Sequence, residues 1–155
     1  MPDISFHDAR LEDVPTILRL GHAGDARGPD TPPLQEETLA DPRYRDAFRA
    51  ISADPNQRLI VAEVAGKIVG TLQISYIPGL ARFGMKRGLL ENVYVDAEQR
   101  GNGLGSKLVR WAVDQCRQAG CGMVQLTSNK VRLDAHRFYR KLGFEATHEG
   151  FKLLL

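Results

Sequence analysis

Three alternate glycines, Gly101, Gly103 and Gly105, lie between Arg100 and Lys107 in the run Arg100-Gly101-Asn102-Gly103-Leu104-Gly105-Ser106. Glycine lets a backbone take positive φ and approach a ligand with no Cβ in the way. The run follows a β-rich stretch and opens a helical one. The first turn of such a helix has unpaired N–H groups and a partial positive charge, which suit a phosphate. Arg100 and Lys107 add formal charge. Two familiar phosphate loops are excluded by register. A P-loop ends in Gly-Lys-Ser/Thr, whereas here Ser106 precedes Lys107. A dinucleotide fingerprint needs glycine where Ser106 stands, near the start of a doubly wound sheet. Tight glycine turns with no ligand are the remaining alternative.

Other residue types narrow the chemistry by what they fail to do. His7, His22, His136 and His148 have no metal-ligand spacing, so no metal is expected. Cys116 and Cys121 flank Gly120 and are expected to be free, core-lining thiols; a disulfide is the less favoured alternative. The net charge is +2, yet Arg82, Lys86, Arg87, Arg100, Lys107 and Arg110 cluster in mid-chain, and Lys130, Arg132, Arg137, Arg140 and Lys141 cluster later. A solvated basic face or an anion site would each explain these clusters. A nucleic-acid module is disfavoured by so small a net charge.

The elements that must position the loop follow from periodicity. Ile4 to His7 reads as a strand, and Asp13 offers an N-cap to a helix with Pro15 in its first turn. Gly21–Pro33 is turn-rich and reads as a mobile loop that carries specificity. Helix is predicted between Gln35 and Ser52, interrupted at Asp41-Pro42. Leu59–Val64 and Ile68–Ile74 read as strands joined by the hairpin Ala65-Gly66-Lys67, with Pro78-Gly79 ending the second. A strand over about Leu89–Val95 leads into the glycine run. Leu104, Leu108, Ala112 and Cys116 then form the apolar face of a helix that ends at Gly120. Met123–Thr127 reads as a strand, Leu133–Leu142 as a helix, and Gly143-Phe144 as the turn into a final strand through Leu155. The result is an α/β (α+β) fold: a mixed, mostly antiparallel sheet with one parallel crossover.

A chain of 155 residues, 43% hydrophobic and 26% charged, has the size and composition of one globular domain, expected to span 1–155. No apolar run reaches the roughly 20 residues of a membrane span. Met1-Pro2-Asp3-Ile4-Ser5 lacks a basic-then-apolar leader pattern, so a cytoplasmic location is expected.

The glycine run, met by Arg100, Gly103 and Gly105 as Gln/Arg-x-x-Gly-x-Gly/Ala, resembles the pyrophosphate loop of the GNAT superfamily of N-acetyltransferases. Glu91-Asn92-Val93-Tyr94-Val95-Asp96 is similar to that family's fourth strand, and Ala135-His136-Arg137-Phe138-Tyr139-Arg140-Lys141-Leu142-Gly143-Phe144 to its last helix and turn. The resemblance covers about Arg58 to Leu155; the N-terminal third follows only by element order. The stretch from Thr127 to Tyr139 is also similar to the branch that contains aminoalkylphosphonate N-acetyltransferases and small-amine acetylases.

The resemblance implies acetyl-CoA as donor, seated where the fourth and fifth strands splay, and transfer to the primary amine of a small molecule. It places the pyrophosphate on the amides of Gly101, Asn102, Gly103, Leu104, Gly105 and Ser106, with Arg100 beside them. Backbone at Val93, Tyr94 and Val95 would pair with the pantetheine arm. An amide near Val93 would polarise the thioester carbonyl. Attack needs a neutral amine, whose unperturbed pKa is about 10.4. Glu91 is therefore the first candidate base, directly or through water, with Glu63 or water alone as reserves. Tyr139 holds the position of the residue that protonates the leaving thiolate. Where many members carry asparagine this chain has Arg132, and Asn129 takes over the polar contact to the pantetheine arm. His136 is expected at the helix surface. The family often forms homodimers. A non-catalytic acyl-CoA sensor and a protein or peptide N-acetyltransferase are the alternatives on the same fold.

Overall fold

The structure, a computed structural model, describes residues 2–25 and 31–155. It contains two compact units, Met1–Gln125 and Leu126–Leu155.

In the first unit, β1 (Ile4–Asp8) is followed by α1 (Val14–Asp25), the single turn α2 (Glu36–Leu39) and α3 (Pro42–Ala53). The strands β2 (Gln57–Val64), β3 (Lys67–Ile77) and β4 (Lys86–Val95) come next, with a short turn, α4 (Ala81–Gly84), between β3 and β4. Then come α5 (Leu104–Gln118) and β5 (Cys121–Leu126). The sheet order is β1-β2-β3-β4-β5, antiparallel from β1 to β4 and parallel between β4 and β5. The expected mixed sheet with one parallel crossover is therefore present.

The β2–β3 hairpin turns on Ala65 (φ 50°) and Gly66 (φ 78°), both left-handed, as a two-residue hairpin of this twist requires. One face of the sheet packs on α5, whose Leu104, Leu108, Ala112 and Cys116 are at most 2% exposed. Each of the two leucines contributes about 1.5–3 kcal/mol by leaving water. Gly88 of β4 lets the helix approach: a Cβ there would stand 2.4 Å from the Cys116 sulfur. Both cysteines are free, as expected.

Three expectations are corrected. Asp13 does not cap α1; it ends a 3-10 turn (Leu11–Asp13), and its carboxylate accepts from the Arg10 amide (2.8 Å). Local backbone pairing one turn earlier wins the side chain. Gly21–Pro33 is not all loop, because α1 runs through to Asp25; Ala26–Asp30 lie outside the described residues. Gly24 serves close approach rather than a turn, since a Cβ there would meet the Tyr94 ring at 2.3 Å. In the second unit, α6 (Leu133–Lys141) forms, but Gly143–Leu155 joins no strand. Phe151, Leu153, Leu154 and Leu155 stand at least 86% exposed. Leu153-Leu154-Leu155 lacks the alternation that would give a strand one buried face. Among the described residues no helix is long and apolar enough to cross a membrane.

Candidate active site

The glycine run forms the turn into α5. Gly101 (φ 82°) and Gly103 (φ 76°) are left-handed, and an added Cβ at either would find nothing within 4 Å. Gly103 is the N-cap of α5, and no side chain caps the helix. The first-turn amides of Leu104, Gly105 and Ser106 thus have no partner from a capping side chain. Arg100 and Lys107 flank them, both exposed and in no ion pair among the described residues. An open, cationic, uncapped helix start fits a diphosphate. Lys107 donates its own amide to the Gly103 carbonyl (3.1 Å), which fixes the turn.

Strand β4 changes character at Asn92. Its ladder with β3 joins Gln73 to Glu91 and Thr71 to Tyr94, so Asn92 and Val93 together oppose Leu72. Asn92 takes φ 52° to make this bulge. Beyond it, the Asp96 amide donates to Val69 of β3 (2.8 Å). Alternation along a strand then turns the amides of Val93 and Val95 toward the other side, where β5 lies. Near the start of β4, Gly88 lies beside Val124: an added Cβ would be 3.7 Å from its methyl. β5 ends two residues later, at Leu126. The outward amides of β4 therefore lie beyond the level at which β5 stops.

The Tyr94 side chain is engaged elsewhere. Its ring covers Gly21 and Gly24 of α1, and its hydroxyl donates to Asp25 (3.0 Å). Any role in binding a thioester arm falls to its backbone.

The two candidate bases differ. Glu91 is exposed and in no ion pair or side-chain hydrogen bond among the described residues. Glu63 accepts from the His7 ring (3.1 Å) on the β1–β2 side of the sheet. His7 is raised above its ordinary value by its hydrogen bond to the Asp8 carbonyl, with Glu63 adding to the effect. Glu63 is thereby tied to His7 by a hydrogen bond, which becomes an ion pair when the ring is protonated.

In the second unit, Tyr139 sits edge-on between Phe138 (5.0 Å between centroids) and Phe144 (5.7 Å). Burial pushes its phenol up, against a smaller opposing pull from Arg132. Its hydroxyl therefore keeps its proton at neutral pH. Asn129 accepts from the Val131 amide through its side chain (3.2 Å), and its carbonyl accepts from His136 (2.9 Å). His136 thus braces the loop before α6, and the side-chain NH2 of Asn129 makes no hydrogen bond among the described residues. Sequence reasoning gave Ser128 no role, yet its hydroxyl is buried without a partner among the described residues. An orphaned hydroxyl of this kind calls for a ligand or water. Its small polar type directly after a strand was the one available signal.

A family model of the acetyltransferase (GNAT) family matches residues 25–144. The chain is 32% identical over 146 residues to aminoalkylphosphonate N-acetyltransferase of Salmonella typhimurium, covering 92% of this chain and 94% of that protein. It is 32% identical over 152 residues to glucosamine 6-phosphate N-acetyltransferase of Trypanosoma brucei brucei, covering 97% and 95%. A crystal structure of a transcriptional regulator from Bacillus halodurans C-125 matches with a TM-score of 0.87 at 36% identity, covering 99% of this chain and all 100% of that one. The chain belongs to the GNAT family. It is an acyltransferase whose donor is acetyl-CoA.

Proposed function

We propose that residues 1–155 work as one GNAT domain that transfers an acetyl group to the primary amine of a small molecule by direct attack in a ternary complex. The supporting observation is the uncapped, glycine-lined start of α5, which follows directly in the chain on the strand that carries the outward amides of Val93 and Val95. The names of two relatives add support, since each describes an amine that also bears a phosphorus oxyacid.

The amides of Gly101 to Ser106 hold the donor's diphosphate, and Arg100 supplies charge. Val93 and Val95 bind its arm as an added strand would, and the family resemblance gives Asn129 a polar contact to the same arm. The bound donor supplies an activated acyl group. Val93 presents an N–H where negative charge develops on the carbonyl oxygen. Glu91, free of any ion pair, takes the proton from the incoming ammonium, directly or through water. Tyr139 retains its proton and donates it to the departing sulfur.

The test is thiol release from acetyl-CoA across small primary amines, run beside calorimetric titration of CoA. CoA binding together with amine-dependent release supports the proposal. Tight binding with no release for any amine would identify an acyl-CoA sensor instead.

A further inference from the structure

The sheet face turned away from α5 carries a polar strip. Gly88 points at Cys116 of α5, so its alternating neighbours Arg87, Leu89 and Glu91 project from the opposite face. Ladder partners share a face, which adds Gln73 beside Glu91 and Ser75 beside Leu89. Gln57 of β2 joins them: its carbonyl oxygen accepts from Gln73 (3.0 Å) and from Ser75 (2.9 Å).

Arg87 is the anomaly in this strip. It is half-buried, and no carboxylate lies within ion-pair range of it among the described residues. Among the described residues its one side-chain hydrogen bond goes to the neutral Gln125 side chain at 3.4 Å, well beyond the usual distance of about 2.9 Å. The adjacent Lys86 is differently placed, because it donates to the Ala119 carbonyl (2.8 Å) at the end of α5. A guanidinium has five N–H donors in a fixed fork that matches an oxyanion. Most of that fork is unused. Arg87 and Glu91 lie four residues apart on one face, roughly 13 Å along the strand between Cα atoms. That separation can span a short amino acid or aminophosphonate if both side chains turn toward each other.

We propose that Arg87 is the specificity residue for an oxyanion on the acceptor, so that the substrate class is short amines bearing a phosphonate, phosphate or carboxylate. This rests on the transferase reading above. Glu91 takes the amine end and Arg87 the acid end.

The test compares aminoethylphosphonate, β-alanine and the neutral propylamine in wild type and in Arg87→Gln and Arg87→Lys. In wild type one or both acids should show a KM well below that of propylamine, and the better acid names the oxyanion. Arg87→Gln should raise that KM about 10- to 100-fold, as expected for loss of a charge-assisted pair. Its kcat, its propylamine KM and its CoA affinity should stay within about twofold, and Arg87→Lys should recover part of the loss. Titration of aminoethylphosphonate and β-alanine into the CoA-loaded protein provides a readout independent of turnover. Binding that Arg87→Gln abolishes supports the proposal even if no amine is acetylated, a result that would overturn the transferase reading alone. Acids that bind no better than propylamine, or an equal loss for all three amines, would overturn the Arg87 assignment.

Discussion

At the residue scale, the proposed reaction gives Glu91 and Tyr139 the two proton transfers, and each can be isolated. Glu91 is the carboxylate on β4 with no ion pair among the described residues, whereas Glu63 is held by His7. Glu91→Gln should lower kcat by about 10²- to 10⁴-fold, the usual range for a general base, and flatten the acidic limb of the pH–rate profile. An unshifted limb would leave the proton to water. Tyr139 has its phenol raised by burial, so its neutral donor form persists to higher pH than that of a free tyrosine. Tyr139→Phe should therefore lower kcat while CoA affinity holds within about threefold. Equal turnover across pH 6–9 would remove its acid role.

At the element scale, the closeness of β4 to α5 depends on Gly88. Gly88→Ala would put a methyl 2.4 Å from the Cys116 sulfur and 3.2 Å from its Cβ. Overpacking of this kind costs about 1–3 kcal/mol, read as a lower urea midpoint. Cys116→Ala in the same chain should recover most of the loss, because the two changes share one contact. Neither Gly88 nor Gly24 announces this duty in the sequence. A glycine that admits a neighbouring side chain looks the same as one that makes a turn, which is why Gly21–Asp25 read as loop. Elements set by local periodicity were legible: the β2–β3 hairpin, the apolar stripe of α5 and the glycine turn before it. Features set by distant contacts were not. The Asn92 bulge depends on β3, the orphaned Ser128 hydroxyl on what buries it, and the half-buried Arg87 on which acids fail to reach it. The last segment misled because Phe151 and the leucines after it are apolar enough to suggest a strand without the alternation that one needs.

At the scale of the whole molecule, donor binding and folding are linked. A ligand that binds only the folded chain stabilises it by about 2.7 kcal/mol at 100 times its Kd. For a chain of this length that corresponds to a rise in Tm of roughly 5–10 °C. CoA should produce such a rise in wild type. Gly103→Asp, which sets a carboxylate into the open space beside the α5 amides, should abolish it, while Gly103→Asn, tolerant of the same left-handed φ, separates backbone strain from charge. A full CoA response in Gly103→Asp would place the diphosphate elsewhere.

The bulge at Asn92 splits β4 into two stretches, to which the proposals above give separate duties: the residues after it the donor, those before it the acceptor. Selection can then act on the two independently. A lineage that exchanges the side chain at position 87 alters its clientele while its hold on the common acetyl currency passes on intact.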